Sequence, residues 1–197
     1  MSKKDKENID FDALTYGITE GGLRSTLEIN LLICYLVVNS KCRLTEKLVI
    51  DTMTEGEIAN YFEATSALKK LIERQTVILD ENGFLVPGKN CVNLMELVEN
   101  DLPYSIRKKS IELSAKLAVK ELYKEENKVE INKKDDNSYD VTMHIQENGK
   151  DFMTLTLNLP TSAQAQMVED RFYDNPPKLY KNLIDYLFTE DSESEDN

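Results

Sequence analysis

The chain has 197 residues, 41% hydrophobic and 30% charged, with a formal net charge of -12, which is enough apolar material for the cores of one or two small domains. The longest apolar run, Leu31 to Val38 ("LLICYLVV"), falls far short of the roughly 20 residues that span a bilayer. The opening "MSKKDKENIDFD" lacks a signal peptide's apolar segment, so the expected address is the cytoplasm, away from membranes.

In chain order the first strong signal is helical. Ser25 or Thr26 can cap a helix through about Asn39, with Leu27, Leu31, Cys34, Tyr35 and Val38 on one core stripe. Thr45 then caps a second helix, which buries Leu48 and Val49 and ends at "TEG", Thr54 to Gly56, where Gly56 suits a tight turn. A third helix runs from about Ala59 to Arg74 with its apolar stripe at Tyr61, Ala64, Ala67, Leu68, Leu71 and Ile72. Phe62, Glu63, Ser66, Lys69, Lys70 and Glu73 point the other way, with Arg74 at the edge. Two short apolar runs follow, Val77 to Leu79 and Phe84 to Val86, hinged on "DENG", where Gly83 supplies the left-handed residue of a hairpin. Three helices followed by a hairpin spell a winged helix-turn-helix.

A fourth helix is expected from Gly88 to Asn100, carrying Val92, Met95, Leu97 and Val98, and Pro103 opens a fifth through Tyr123. The fifth sets Ile106, Ser110, Leu113, Leu117 and Leu122 near one side. Arg107, Lys108, Lys109, Lys116 and Lys120 meet only Glu112, the densest positive stretch of the chain and a candidate ridge for phosphates or a partner, or else a solvated basic face.

At "KEENK", Lys124 to Lys128, the period changes to two, and "KVEIN", "SYDVTMHIQ" and "DFMTLTLNL" read as a three-stranded antiparallel meander. A two-residue Asn148-Gly149 turn would split the apolar set between faces. A three-residue Gly149 bulge loop instead pairs Ile145 with Met153, Met143 with Leu155, Val141 with Leu157 and Tyr139 with Leu159, all on one buried face. His144 falls on the opposite, polar face beside Thr142 and Gln146, with no acidic neighbour evident. Thr161 and Gln164 open a helix through about Tyr173. Pro176-Pro177 breaks it, and Leu179, Leu183, Ile184 and Leu187 stripe the last helix. The ending "EDSESEDN" reads as a solvated tail.

The expected fold class is therefore α+β: an N-terminal winged helix-turn-helix with extra helices, then a small antiparallel three-stranded sheet covered by two helices. The divisions fall at residues 1–21 (an extension), 22–126, 127–189 and 190–197 (the acidic tail). Cys34, Cys42 and Cys91 are odd in number and share no CxxC spacing, and His144 is the only histidine, so a disulfide framework or metal site is not expected. With no Ser/His/Asp order, phosphate-cradling glycine loop or HExxH, catalysis and a cofactor are not expected either.

The segments "GGLRSTLEINLLICYLVVN" (Gly21 to Asn39), "ANYFEATSALKKLIE" (Ala59 to Glu73) and "LVENDLPYSIRKK" (Leu97 to Lys109) resemble the domain-of-unknown-function family numbered 4364, found mainly in Firmicutes, with the Asn-Tyr-Phe and Leu-Pro-Tyr-Ser-Ile-Arg clusters the most distinctive parts. The resemblance runs from Gly21 to Phe188, "YKNLIDYL" included, and implies a winged-helix fold rather than a particular function. Where the family pattern often has Gly between the third helix and the wing, this chain has Gln75 and Thr76.

By fold analogy the expected function is that of a DNA-binding transcriptional regulator, a homodimer on double-stranded DNA that reads it with Asn60, Ser66, Lys69, Lys70, Arg74 and Lys89. An Asn at a helix start can reach adenine edges. It can equally cap the helix while Tyr61 and Phe62 pin the third helix to the second. The contrasting expectation is a winged helix used as a protein-protein interaction module that does not touch DNA, which suits an acidic chain whose helix face balances its charges.

Overall fold

The computed structural model describes residues 26–94 and 101–189; the N-terminal extension, Ser25, the expected contacts of Met95, Leu97 and Val98, and the acidic tail lie outside them. The fold is α+β, with six α-helices, a two-stranded and a three-stranded antiparallel sheet among the described residues. The chain forms two compact units that divide between Ala118 and Val119.

The first unit is built on α1 (Thr26–Asn39). Where a single stripe was expected, Ile29, Leu31, Leu32, Ile33, Cys34, Leu36 and Val37 are all buried, while Leu27 is 57% exposed. The cause is tertiary: neighbours pack around this helix on several sides, so it is apolar nearly all round. In α2 (Glu46–Glu55), Thr45 is the N-cap and accepts from the Leu48 N–H at 3.1 Å. Gly56 has φ -73°, and the left-handed residue of that turn is Glu57, at φ 51°. Gly56 is needed for space, since a Cβ there would sit 2.6 Å from the Thr52 carbonyl oxygen.

Next come α3 (Tyr61–Glu73) and a hairpin of β1 (Val77–Leu79) and β2 (Leu85–Pro87), paired Val77 with Pro87 and Leu79 with Leu85. The chain leaves α3 through Gln75 at φ 55°, the left-handed conformation usually given to Gly just past a helix. Gly83, at φ 79°, turns the hairpin, and the Asp80 carboxylate accepts from the N–H groups of Asn82 and Phe84. The Leu85 N–H donates to the Leu44 carbonyl at 2.7 Å, tying the hairpin to the α1–α2 loop.

The expected helix from Gly88 does not form in the described stretch. A turn leads to a short 3-10 helix, Val92–Leu94, and Val92 is exposed rather than core. Gly88 is held too closely to start a helix, because its N–H bonds the Thr76 carbonyl at 2.9 Å. The long helix α4 (Tyr104–Glu126) follows. It buries Ser110, Ser114 and Leu117 but leaves the expected core residue Leu122 exposed.

The second unit carries β3 (Lys128–Lys133), β4 (Tyr139–Glu147) and β5 (Lys150–Leu159), in spatial order β3-β4-β5. The pairs expected from the sequence are present: Ile145 with Met153, Met143 with Leu155, Val141 with Leu157 and Tyr139 with Leu159. The device that sets them differs from the expected three-residue loop. Glu147 pairs with Lys150 around a two-residue turn in which Asn148 and Gly149 both have positive φ, 52° and 74°, and the register shifts further in, leaving Phe152 as the extra residue. The preferred Asn-Gly turn and the one-sided apolar face are thus both satisfied, by a bulge one pair away from the turn.

Val141, Met143 and Ile145 of the central strand are buried, Met153 and Leu155 are half-buried, and Leu157 reaches the surface at the sheet edge. Over that face lies α5 (Ser162–Asp174), capped by Thr161 and burying Ala165, Phe172 and Tyr173. The last helix, α6 (Pro176–Phe188), is capped by Asn175 and packs Leu179 and Tyr180 on the same core. Its stripe ends early, since Leu183 and Ile184 are half-buried but Leu187 is exposed.

Candidate nucleic-acid interface

The solvent face of α3 is set by its burial. Ala64, Ala67, Leu68 and Leu71 take the core side, and at about 100° per residue Phe62, Ser66, Lys69 and Glu73 fall on one line opposite, with Lys70 a quarter turn round. All five are exposed. Arg74 is exposed at the C-cap of the helix, and Lys89 is exposed on a separate turn beyond β2.

Asn60 does not join that face. Its Oδ1 accepts from the Glu63 N–H at 2.9 Å, and its own backbone N–H bonds the Glu63 carboxyl, a reciprocal cap. Burial pushes the Glu63 carboxyl above its ordinary value, against the pull of that N–H, and Oε2 is enclosed without a hydrogen-bond partner. Asn60→Ala is therefore expected to cost about 1 kcal/mol of stability, checked by denaturant unfolding. A variant of unchanged stability that lost sequence preference for DNA would instead make Asn60 a base reader.

The aromatics beside it do not pin α3 to α2. Phe62 is 81% exposed and Tyr61 is also exposed, the two rings edge to face with centroids 5.7 Å apart. Once the apolar positions one turn further along fill the α2–α3 contact, the first turn has no core left to enter.

The basic helix is largely engaged within its own units. Arg107 lies over the rings of Tyr35 and Tyr104, at 5.8 and 5.9 Å, and Lys108 pairs with Glu112 at 3.8 Å. In the second unit Lys120 binds Asp170 and Asp174, at 3.3 and 3.2 Å. Lys109 and Lys116 remain exposed beside a shallow groove of about 550 Å³ that Glu55 and Glu112 also line, so the field there is mixed.

The sheet holds a cluster that the sequence reading missed. His144 has acidic company: its Nδ1 lies 2.7 Å from Asp151 Oδ2, and the Gln146 amide donates to Asp151 Oδ1 at 2.5 Å. Gln146 first and His144 second hold the Asp151 carboxyl below its usual range. The register expected from the sequence hides this contact, because Asp151 reaches the His144 face only through the bulge at Phe152, which sets it opposite Gln146 and diagonal to His144. Among the described residues no group of three or more His, Cys, Asp or Glu side chains is placed to hold a metal ion.

These features define a two-unit α+β protein with an exposed, mixed-charge helix face followed by a small hairpin. The chain belongs to the family described as Domain of unknown function (DUF4364), whose sequence model matches residues 29–187. No curated protein and no solved structure matches it. No helix among the described residues is long and apolar enough to cross a membrane.

Proposed function

We propose that the chain is a DNA-binding transcriptional regulator of the cytoplasm that acts, without catalysis, as a homodimer through a winged helix. The observation that carries this is the solvent face of α3, where Ser66, Lys69 and Lys70 are exposed and a hairpin tied to the α1–α2 loop follows immediately. Such a helix enters a major groove, its short polar residues reach base edges and its lysines meet phosphates, while the wing touches backbone. Lys69, Lys70, Arg74 and Lys89 are few cations for this task. A monomer would bind weakly, and useful affinity calls for a two-fold dimer on two half-sites about one helical turn apart, with α4 as the dimer contributor.

A second reading, a winged helix that binds protein instead of DNA, is favoured by the large exposed ring of Phe62 and by the internal pairing of Arg107, Lys108 and Lys120. A salt titration of binding to a DNA site selected by the wild-type chain separates the two. Replacing Lys69 and Lys70 together by Ala is expected to weaken binding to all sequences and to flatten the salt dependence by up to about two phosphates per subunit. Ser66→Ala should alter sequence preference with little change in slope. A double variant with wild-type affinity and slope would remove α3 as the DNA-reading surface and leave the protein-binding module in its place.

A further inference from the structure

Two of the three thiols lie together in the core of the first unit. Cys34 sits in the middle of α1 and Cys91 on the turn after β2; both are free and fully buried. Across 57 residues of chain the Cys91 thiol donates to the Cys34 carbonyl at 3.8 Å, and the two thiols lie near enough to shift each other's ionisation in opposite directions. Their mobilities differ by construction of the fold. Among residues 88–93, Lys89, Asn90, Val92 and Asn93 are exposed while Gly88 and Cys91 are buried. That turn is held by the Gly88 N–H on Thr76 and the Cys91 N–H on Gly88. Such a turn is a smaller unit to open than α1, which is packed on several sides and moves only with the whole first unit.

We propose that Cys34 and Cys91 are a reversible dithiol–disulfide pair, closed by hydrogen peroxide. Opening of the turn brings Cys91 to water while Cys34 stays enclosed in α1, so Cys91 is the thiol that ionises and meets the peroxide. In the opened turn its thiolate attacks one peroxide oxygen; the S–O bond forms, the O–O bond breaks, and the departing hydroxide takes a proton to become water. When the turn recloses, the Cys34 sulfur attacks Cys91; the S–S bond forms, the S–O bond breaks, and hydroxide leaves with the Cys34 proton as a second water. One peroxide and two thiols become one disulfide and two waters.

The test uses the full reduced chain treated with hydrogen peroxide, followed by alkylation, digestion and peptide mass spectrometry. The expected product is a Cys34–Cys91 linked peptide that has lost two hydrogens, with Cys42 alkylated and the link released by dithiothreitol. The oxidised chain should also melt at a higher temperature, because the link closes a long loop containing α2, α3 and the hairpin. Cys42→Ser should keep the link and Cys91→Ser abolish it. Recovery of Cys34 and Cys91 from the oxidised wild-type chain only as separate alkylated or sulfinic acid peptides overturns the proposal, whatever the variants do.

Discussion

Met143→Asp should destabilise the second unit by on the order of 4 kcal/mol, because it buries a carboxylate with no partner in the middle of the central strand. Met143 is 2% exposed, between Val141 and Ile145 and beneath α5. Its cross-strand neighbour Leu155 is only half-buried on the outer strand, so Leu155→Asp can turn its charge toward water and should cost about half as much. Thr154 points to the opposite face and is exposed, its hydroxyl 3.5 Å from His144 Nδ1. Thr154→Asp should stay within about 1 kcal/mol of wild type. Amide hydrogen exchange of β4 reads this unit by itself and ranks the three. Equal losses of protection for Met143→Asp and Thr154→Asp would mean that the faces of the sheet are the other way round.

Gly88→Ala should destabilise the first unit by about 3 kcal/mol. A Cβ at Gly88 would lie 2.0 Å from the Gln75 carbonyl oxygen and 2.9 Å from that of Thr76. Both obstacles are backbone, so no rotamer change relieves them, and the hairpin would have to part from the end of α3. Gly83→Ala offers the contrast. Gly83 has φ 79° but open space around its missing Cβ, so only the conformational cost of the left-handed region applies, about 1 kcal/mol. Thermal melting of the two variants tests the difference. A Gly88→Ala chain as stable as Gly83→Ala would show that the turn after β2 does not approach Gln75 and Thr76.

Elements whose cause is local were legible in the residues. Thr45, Asn60 and Thr161 cap helices because a short oxygen side chain reaches the N–H three residues on. The "DENG" hairpin needs only Gly83 and a turn carboxylate, and the apolar alternation of Val141, Met143 and Ile145 admits one register against Met153, Leu155 and Leu157. The solvent face of α3 was legible too, since helical period alone separates Ser66, Lys69 and Lys70 from Ala64, Ala67 and Leu68.

What only the tertiary structure decided are matters of which surface is already occupied. Helical period sets Phe62 opposite the apolar stripe but Tyr61 on it, and the exposure of Tyr61 follows from how the α2–α3 contact is filled, which no pattern in α3 records. Asn148-Gly149 dictates a two-residue turn and the sheet's core a shifted register; only the three-dimensional sheet reconciles them, by placing the extra residue at Phe152. Gly88 looks like the start of a helix until the backbone of Gln75 closes on it. His144 finds Asp151 by diagonal contact across strands, and Cys34 finds Cys91 across 57 residues. Period and capping are written within a few neighbours along the chain, whereas close approach and burial depend on segments that meet only when the core closes.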